Sequence, residues 1–302
     1  MNSIIEKKCP NIDCNGNVEM KYYSNDLKLK NINFNCTTDS YTKPNILKCQ
    51  NCNIIFSELI YELNENQFEK NYQDVKDLKY ISQIKYKKVY FNKFCKKISN
   101  ELNKQIDVLE IGSYYGVLGS IIKDKVKNYS GLELSTHASD YSKKEFQLNI
   151  FNETIEEHSK RGIKYDLIVM ADVIEHFSDP FKVFKIMSKI LNKNGKVILT
   201  TFNIDSLYAK FTGKNYHWII PYHLVFFSNK TLDKLGNDNN LNLYRVENDP
   251  RYTSIKYLLE KLKLIFPKFN FVFNFLSKVK LLDNMTIKVN LRDLNIYYFV
   301  KR

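Results

Sequence analysis

Ile106-Asp107-Val108-Leu109-Glu110-Ile111 runs directly into Gly112-Ser113-Tyr114-Tyr115-Gly116. An aliphatic run followed at once by two glycines reads as a buried strand that turns sharply into a helix. Gly112 lets the backbone turn, and Gly116 lets a ligand approach the start of that helix. Working outward, a helix is expected over about 117–126 and another from Pro180 to Asn194-Gly195. Further strands are expected at 128–132, 146–150, 166–170, 196–201, 241–247 and 295–301. Strands alternating with helices predict an α/β fold, a doubly wound seven-stranded sheet, mostly parallel and covered on both faces.

Ligands of such sheets bind at the carboxyl ends of the strands, so the residues just past each strand are informative. Glu133 closes the second strand, 21 residues beyond Gly112, where an acid accepts the two hydroxyls of a ribose. A dinucleotide would set its pyrophosphate at the helix N-terminus. Glu110 at the mouth of that loop opposes a phosphate but suits the ammonium and sulfonium charges of S-adenosylmethionine. Tyr114 also stands where the dinucleotide pattern Gly-x-Gly-x-x-Gly needs glycine. The sulfonium nucleoside is the expected cofactor.

Three segments together resemble the class I S-adenosylmethionine-dependent methyltransferases, a Rossmann-like superfamily. They are Glu110-x-Gly112-x-x-x-Gly116, Gly131-Leu132-Glu133-Leu134-Ser135, and Asp172-Val173-Ile174-Glu175-His176-Phe177-Ser178-Asp179-Pro180. The stretch from Trp218 to Ser228, followed by Thr231-Leu232, is similar to the small-molecule branch containing ubiquinone-type and sugar methyltransferases. The resemblance implies that Glu110, Gly112, Ser113, Tyr114 and Gly116 line the methionine end of the cofactor. It implies Glu133 on the ribose, Leu134 against the adenine, Asn152 near the adenine amine, and Asp172 and Val173 bordering the cofactor. Tyr114 departs from the family's usual glycine, and its side chain either folds over the methionine moiety or narrows the pocket. The implied acceptor is a small molecule: a sugar, a nucleotide-sugar or a lipid-linked compound. Two alternatives stay open, an RNA base methyltransferase and a non-enzymatic cofactor-binding protein. Nucleic acid is disfavoured because no Asn-Pro-Pro-Tyr motif or catalytic cysteine pattern occurs.

Residues 1–60 carry Cys9-x4-Cys14 and Cys49-x2-Cys52. Two close cysteine pairs across a hairpin supply the four soft tetrahedral ligands that zinc wants. The expectation is a small zinc-ribbon-like module with a structural Zn2+ on Cys9, Cys14, Cys49 and Cys52, and short strands near 33–36 and 45–48. Cys36 and Cys95 read as core residues, Cys36 also as a substitute ligand. An N-terminal zinc module also resembles deoxysugar methyltransferases. Residues 61–104, with Phe68, Tyr72, Val75, Leu78, Ile81, Ile84, Val89, Phe94 and Ile98 at helical spacing, predict one or two helices covering the cofactor site before the main domain, 105–302.

Catalytic candidates are His223, in a loop of aromatics, and His176, one turn past the fourth strand; either can serve as base or orient a loop. His217 flanks the same loop, His137 follows strand two, and His158, in Glu-Glu-His-Ser-Lys-Arg, reads as solvated. In the insertion at about 252–282, counted from Arg251 to Leu282, seven basic residues and one acidic interleave with Leu, Ile and Phe as two amphipathic helices broken at Pro267. This insertion reads as a lid or dimer surface, or as a face for anionic lipid or a lipid-linked substrate. The net charge of +13 permits anionic partners without choosing among them. Neither a secretory signal nor a membrane span is legible, so a cytoplasmic protein is expected, and the partner expectation is a monomer or homodimer.

Overall fold

The computed structural model describes residues 8–11, 14, 16–24, 43–62, 70, 72–265, 267–279, 282 and 285–302. Cys36, the strand expected at 33–36 and Phe68 lie outside these. The strands are β1 (Val18–Tyr22), β2 (Ile46–Cys49), β3 (Ile55–Ser57), β4 (Asp107–Ile111), β5 (Asn128–Leu132), β6 (Ile150–Phe151) and β7 (Tyr165–Ala171). They continue with β8 (Leu191–Phe202), β9 (Val225–Phe226), β10 (Leu241–Asn248), β11 (Arg251–Ser254), β12 (Thr286–Val289) and β13 (Leu294–Lys301).

The central sheet has seven strands in the order β10-β13-β8-β7-β4-β5-β6. Strands β4 to β8 within it are parallel, while β13 runs antiparallel between β8 and β10. Side chains of period two feed two separate cores. Val108, Leu167, Val169, Ile198 and Tyr298 enter one, and Leu109, Ile168, Met170, Leu199 and Phe299 enter the other.

Several boundaries differ from the sequence reading. The strand expected at 146–150 is only Ile150–Phe151, and Phe146 ends a helix spanning Thr136–Phe146. Ser135 caps that helix, and Gln147 stops it in the left-handed conformation. The helix beginning at Pro180 ends at Ile190, because Leu191 already pairs with Tyr165 and starts β8. The expected helix over 117–126 is a single turn, Gly119–Ile122, followed by a 3-10 turn. In the insertion, helices Ile255–Ile265 and Asn270–Ser277 flank Pro267 as expected. They are carried on a β11–β12 hairpin that the sequence reading missed.

The cysteine-bearing hairpins form a second sheet, β1-β2-β3-β9, whose last strand belongs to the aromatic segment. Ile55 lies opposite Phe226 and Phe56 opposite Val225, and the Ser57 amide donates to the Leu224 carbonyl at 2.8 Å. Cys9, Cys49, Phe56 and Leu59 share one apolar cluster with Leu224, Val225 and Phe227. Among the described residues the module therefore has no core separate from the larger domain. Phe56→Ala, at a fully buried position, should cost about 3–5 kcal/mol and lower the midpoint of one cooperative urea transition. A separate early transition that leaves the main one unmoved would contradict the shared core.

Candidate active site

The loop after β4 and the turn after β7 meet where the chain leaves the sheet in opposite directions, the crevice such folds use for ligands. Gly112 has φ +71, and a Cβ there would lie 2.6 Å from Val173 Cγ2, so only glycine lets the two turns touch. Between Gly112 and Gly116, Tyr114 adopts φ +46, a left-handed conformation that costs a tyrosine roughly 1–2 kcal/mol. Its amide donates to Glu133 Oε2 at 2.7 Å, and its hydroxyl reaches Asp77 at 3.3 Å. Its ring packs at 4.7 Å from those of both Tyr80 and Tyr115.

Glu133 also accepts the Ser135 amide on Oε1 at 2.7 Å. A carboxylate offers about four acceptor sites, so capacity remains for ligand hydroxyls. Burial pushes this acid up to about 7, against the pull of the Ser135, Tyr114 and Leu134 amides. Asn152 donates to the carbonyls of Glu133 at 2.6 Å and Leu134 at 2.9 Å, tying the ends of β5 and β6 together. Glu110 is buried beneath the loop. It accepts the Tyr129 hydroxyl at 2.6 Å, and burial pushes it up to about 8. Among the described residues the buried Ser113 hydroxyl has no hydrogen-bond partner.

The segment before the helix Leu78–Ser82 closes over this loop. Ser135 Oγ donates to the Val75 carbonyl at 2.9 Å, and the Asp77 amide donates to the Tyr115 hydroxyl at 2.8 Å. Val75 packs with Ile220 and Tyr222, which joins the cover to the aromatic segment.

Asp172, at φ +57, follows directly after β7. Thr200 Oγ1 donates to its Oδ1 at 2.6 Å, and Arg251 of β11 reaches the same oxygen at 2.6 Å. Arg251 also pairs with buried Asp249 at 3.4 Å and lies 4.4 Å over the Tyr90 ring. The sequence reading missed Arg251, whose one visible signal was its place at the head of the basic insertion.

His176 and His223 converge, with ring centroids 4.9 Å apart. His176 Nδ1 lies 2.8 Å from the Tyr222 carbonyl, and His223 Nδ1 lies 2.8 Å from the Trp218 carbonyl. A carbonyl only accepts, so each Nδ1 carries the proton and each Nε2 a lone pair. Burial lowers the pKa of His176; burial, with His176 and His217 nearby, lowers that of His223 further. Both imidazoles are therefore neutral near pH 7. Glu175, not picked out from the sequence, joins them: one ligand atom from each of the three lies within 4.8 Å of the others. Burial and the charge of Asp172 push Glu175 up to about 8. Its Oε2 accepts the Thr201 hydroxyl at 3.0 Å, and its carbonyl accepts the Leu224 amide at 2.8 Å.

His137 and His217 are exposed. His158, expected in solvent, is instead buried between Glu153 at 2.7 Å and the Tyr165 hydroxyl at 2.8 Å. The capping box of Thr154 and Glu157 sets the helical turn that carries it, with Ile155 and His158 as the buried residues. In the N-terminal sheet the four Sγ atoms of Cys9, Cys14, Cys49 and Cys52 lie within 4.8 Å of one another. A Cβ on Gly16 would lie 2.6 Å from Cys49 Sγ, so glycine keeps room for the cluster. Cys95 is a buried core thiol away from it.

A family model described as a methyltransferase domain matches residues 83–246, more than half of the chain. The chain belongs to this family and carries an S-adenosylmethionine-dependent methyltransferase domain. The ubiquinone biosynthesis O-methyltransferase of Escherichia fergusonii is 26% identical over 102 residues, covering 32% of this chain and 42% of that protein. The Erwinia tasmaniensis protein of the same name is 28% identical over 105 residues, covering 33% and 43%. The chain thus matches less than half the length of these relatives. The solved YcgJ protein of Bacillus subtilis shares the fold, with a TM-score of 0.51 and 13% identity over 70% of this chain and 98% of that one.

Arg251→Met would leave Asp249 buried, at 2% exposure, without its guanidinium. It should lower stability by about 3 kcal/mol, the low end for a broken buried pair because Asp172 is part-exposed. Urea denaturation measures this, and an unchanged midpoint would show that neither acid needs the arginine.

Proposed function

We propose that this chain transfers the methyl group of S-adenosylmethionine to a small-molecule acceptor: a sugar, a nucleotide-linked sugar or a lipid-linked compound. The observation that carries the reading is one sheet edge bearing a glycine-punctuated loop, a ribose-type acid and two neutral imidazoles side by side. The bound cofactor supplies an electrophilic methyl group on positively charged sulfur. The residues present fit it: Glu133 keeps free acceptor capacity, Ser113 holds an unpartnered buried hydroxyl, and Gly112 and Gly116 keep the backbone low. Glu133 would accept the ribose hydroxyls, with Leu134 and Asn152 beside the adenine. Gly112, Ser113, Tyr114 and Gly116 would border the methionine end, with Glu110 supporting the loop from below. Asp172 and Val173 would close the opposite side. The acceptor would lie against Tyr222 and His223, with His176 and His223 aligning it or taking its proton. In-line methyl transfer gains most from such alignment.

The ubiquinone-type relatives favour a small molecule over a macromolecule. The four-cysteine cluster fits Zn2+ by donor softness, number and proximity, and its closed set suits a structural ion. No described helix is long and apolar enough to cross a membrane.

Transfer of labelled methyl to nucleotide sugars, set against total RNA, tests the reading; label found in RNA alone would overturn it. His223→Ala should cut turnover at least tenfold with cofactor affinity nearly intact, and unchanged turnover would remove His223 from the site. Cofactor affinity should also fall as pH drops below about 7, because Glu133 is raised to that value and only its ionised form accepts both ribose hydroxyls. Calorimetry between pH 8 and 5.5 measures this; a flat profile would show that Glu133 does not touch the cofactor.

A further inference from the structure

We propose that a cleft at the amino ends of β4, β5 and β7 binds the phosphate monoester of a polyol, the chemistry of a sugar phosphate. The cleft lies at the sheet edge opposite the candidate methyl-transfer site, and the proposal is independent of that reading. Its volume is about 510 Å3, within the range of small-ligand sites. The cleft exists because β6 is so short that it pairs with β5 only at Gly131 and Leu132. No strand among the described residues covers Asn128, Tyr129 and Ser130 on that side.

Two sets of groups line the space. At the rim, Lys123, Lys127 and Lys164 stand against a single acid, Asp107. That acid is already engaged: Asn128 Nδ2 donates to its Oδ1 at 2.7 Å, and Lys127 Nζ lies 3.8 Å from its Oδ2. Lys123 directs one donor to the Phe146 carbonyl at 2.6 Å, and Lys164 directs one to the Lys189 carbonyl. An ammonium has three donors, so each keeps capacity for a ligand oxygen. The excess of lysine over acid suits a phosphate monoester, which carries about −1.5 to −2 at pH 7.

On the floor, Asn149 Nδ2 donates to Ser130 Oγ at 3.1 Å, and the Ser130 and Tyr165 hydroxyls interact. The Tyr165 hydroxyl meets His158 Nε2 at 2.8 Å, and His158 Nδ1 meets Glu153 Oε1 at 2.7 Å. Arg161 holds both oxygens of Glu153 at 2.7 Å. A carboxylate only accepts, so Nδ1 carries the proton, and the neutral ring takes the Tyr165 proton on Nε2. His158 is 1% exposed and Tyr165 3%, so the middle of this chain is closed to water. Its inner end opens on the cleft at Ser130 and Asn149. The network fixes the orientation of these polar groups and leaves a lone pair on Ser130 Oγ for a ligand hydroxyl. Inorganic phosphate would use the rim alone, whereas a hydroxylated ester reaches rim and floor together.

Calorimetric titration of the full chain with glucose 1-phosphate and ribose 5-phosphate, set against glucose and inorganic phosphate, tests this. At least one ester should bind at one site per chain, at least tenfold more tightly than inorganic phosphate, with no uptake of glucose. Lys123→Gln and Ser130→Ala should each weaken the ester at least tenfold, with circular dichroism unchanged. Lys123→Gln keeps a donor for the Phe146 carbonyl, so it guards against loss of fold. No saturable uptake of either ester, or undiminished uptake in Lys123→Gln, would overturn the proposal. Equal affinity for ester and inorganic phosphate, or undiminished uptake in Ser130→Ala, would overturn its polyol half.

Discussion

The Glu133 carboxylate accepts hydrogen bonds from the amides of Tyr114 and Ser135, and the site is organised around that pair. One amide belongs to the loop after β4 and the other to the start of the helix after β5. A single buried acid thus fixes the relative height of two strand ends. It also holds Tyr114 in a backbone conformation that a tyrosine resists. The aromatic stack of Tyr80, Tyr114 and Tyr115 follows from that constraint, and with it the seating of the cover segment at Val75 and Asp77. Tyr114 in place of a glycine is accommodated because its side chain leaves the loop toward this cover.

The opposite wall is built from a distance. Leu224 lies between two sheets: its amide binds the Glu175 carbonyl and its carbonyl binds Ser57 of the cysteine-bearing sheet. His223 is the residue immediately before it. The N-terminal sheet therefore continues into the segment that carries the candidate acceptor groups. Arg251 does the corresponding work from the C-terminal side, since its guanidinium joins the β11–β12 hairpin to Asp172 at the end of β7. Both peripheral elements converge on the carboxyl edge of the parallel strands, the edge proposed above for the methyl donor and its acceptor.

Much of this was legible in the sequence because buried parallel strands are continuous apolar runs and their loops keep glycines and acids at fixed offsets. Ile106 to Gly116, Glu133 and the Asp172–Pro180 segment all carried that signal. The helix Thr136–Phe146 did not, since Ser139, Ser142 and the adjacent Lys143 and Lys144 blur its apolar stripe, and a two-residue β6 is too short to show a period. The β11–β12 pairing joins residues on either side of two helices, so no local pattern announces it. His158 was misread because its chain neighbours are charged, although the helix turns it inward. Glu175 passed unnoticed for the converse reason: a carboxylate between Ile174 and His176 stands out only when the chain brings His223 beside it.

The central claim is that a buried acid at the end of β5 and the glycine loop after β4 receive a sulfonium nucleoside. Calorimetric titration of the full chain and of Glu133→Ala with S-adenosylhomocysteine and with NAD tests it most directly. The account predicts one site for the homocysteine nucleoside on the full chain, none for NAD, and at least a tenfold loss of affinity in the variant. Uptake of NAD with indifference to S-adenosylhomocysteine would contradict it.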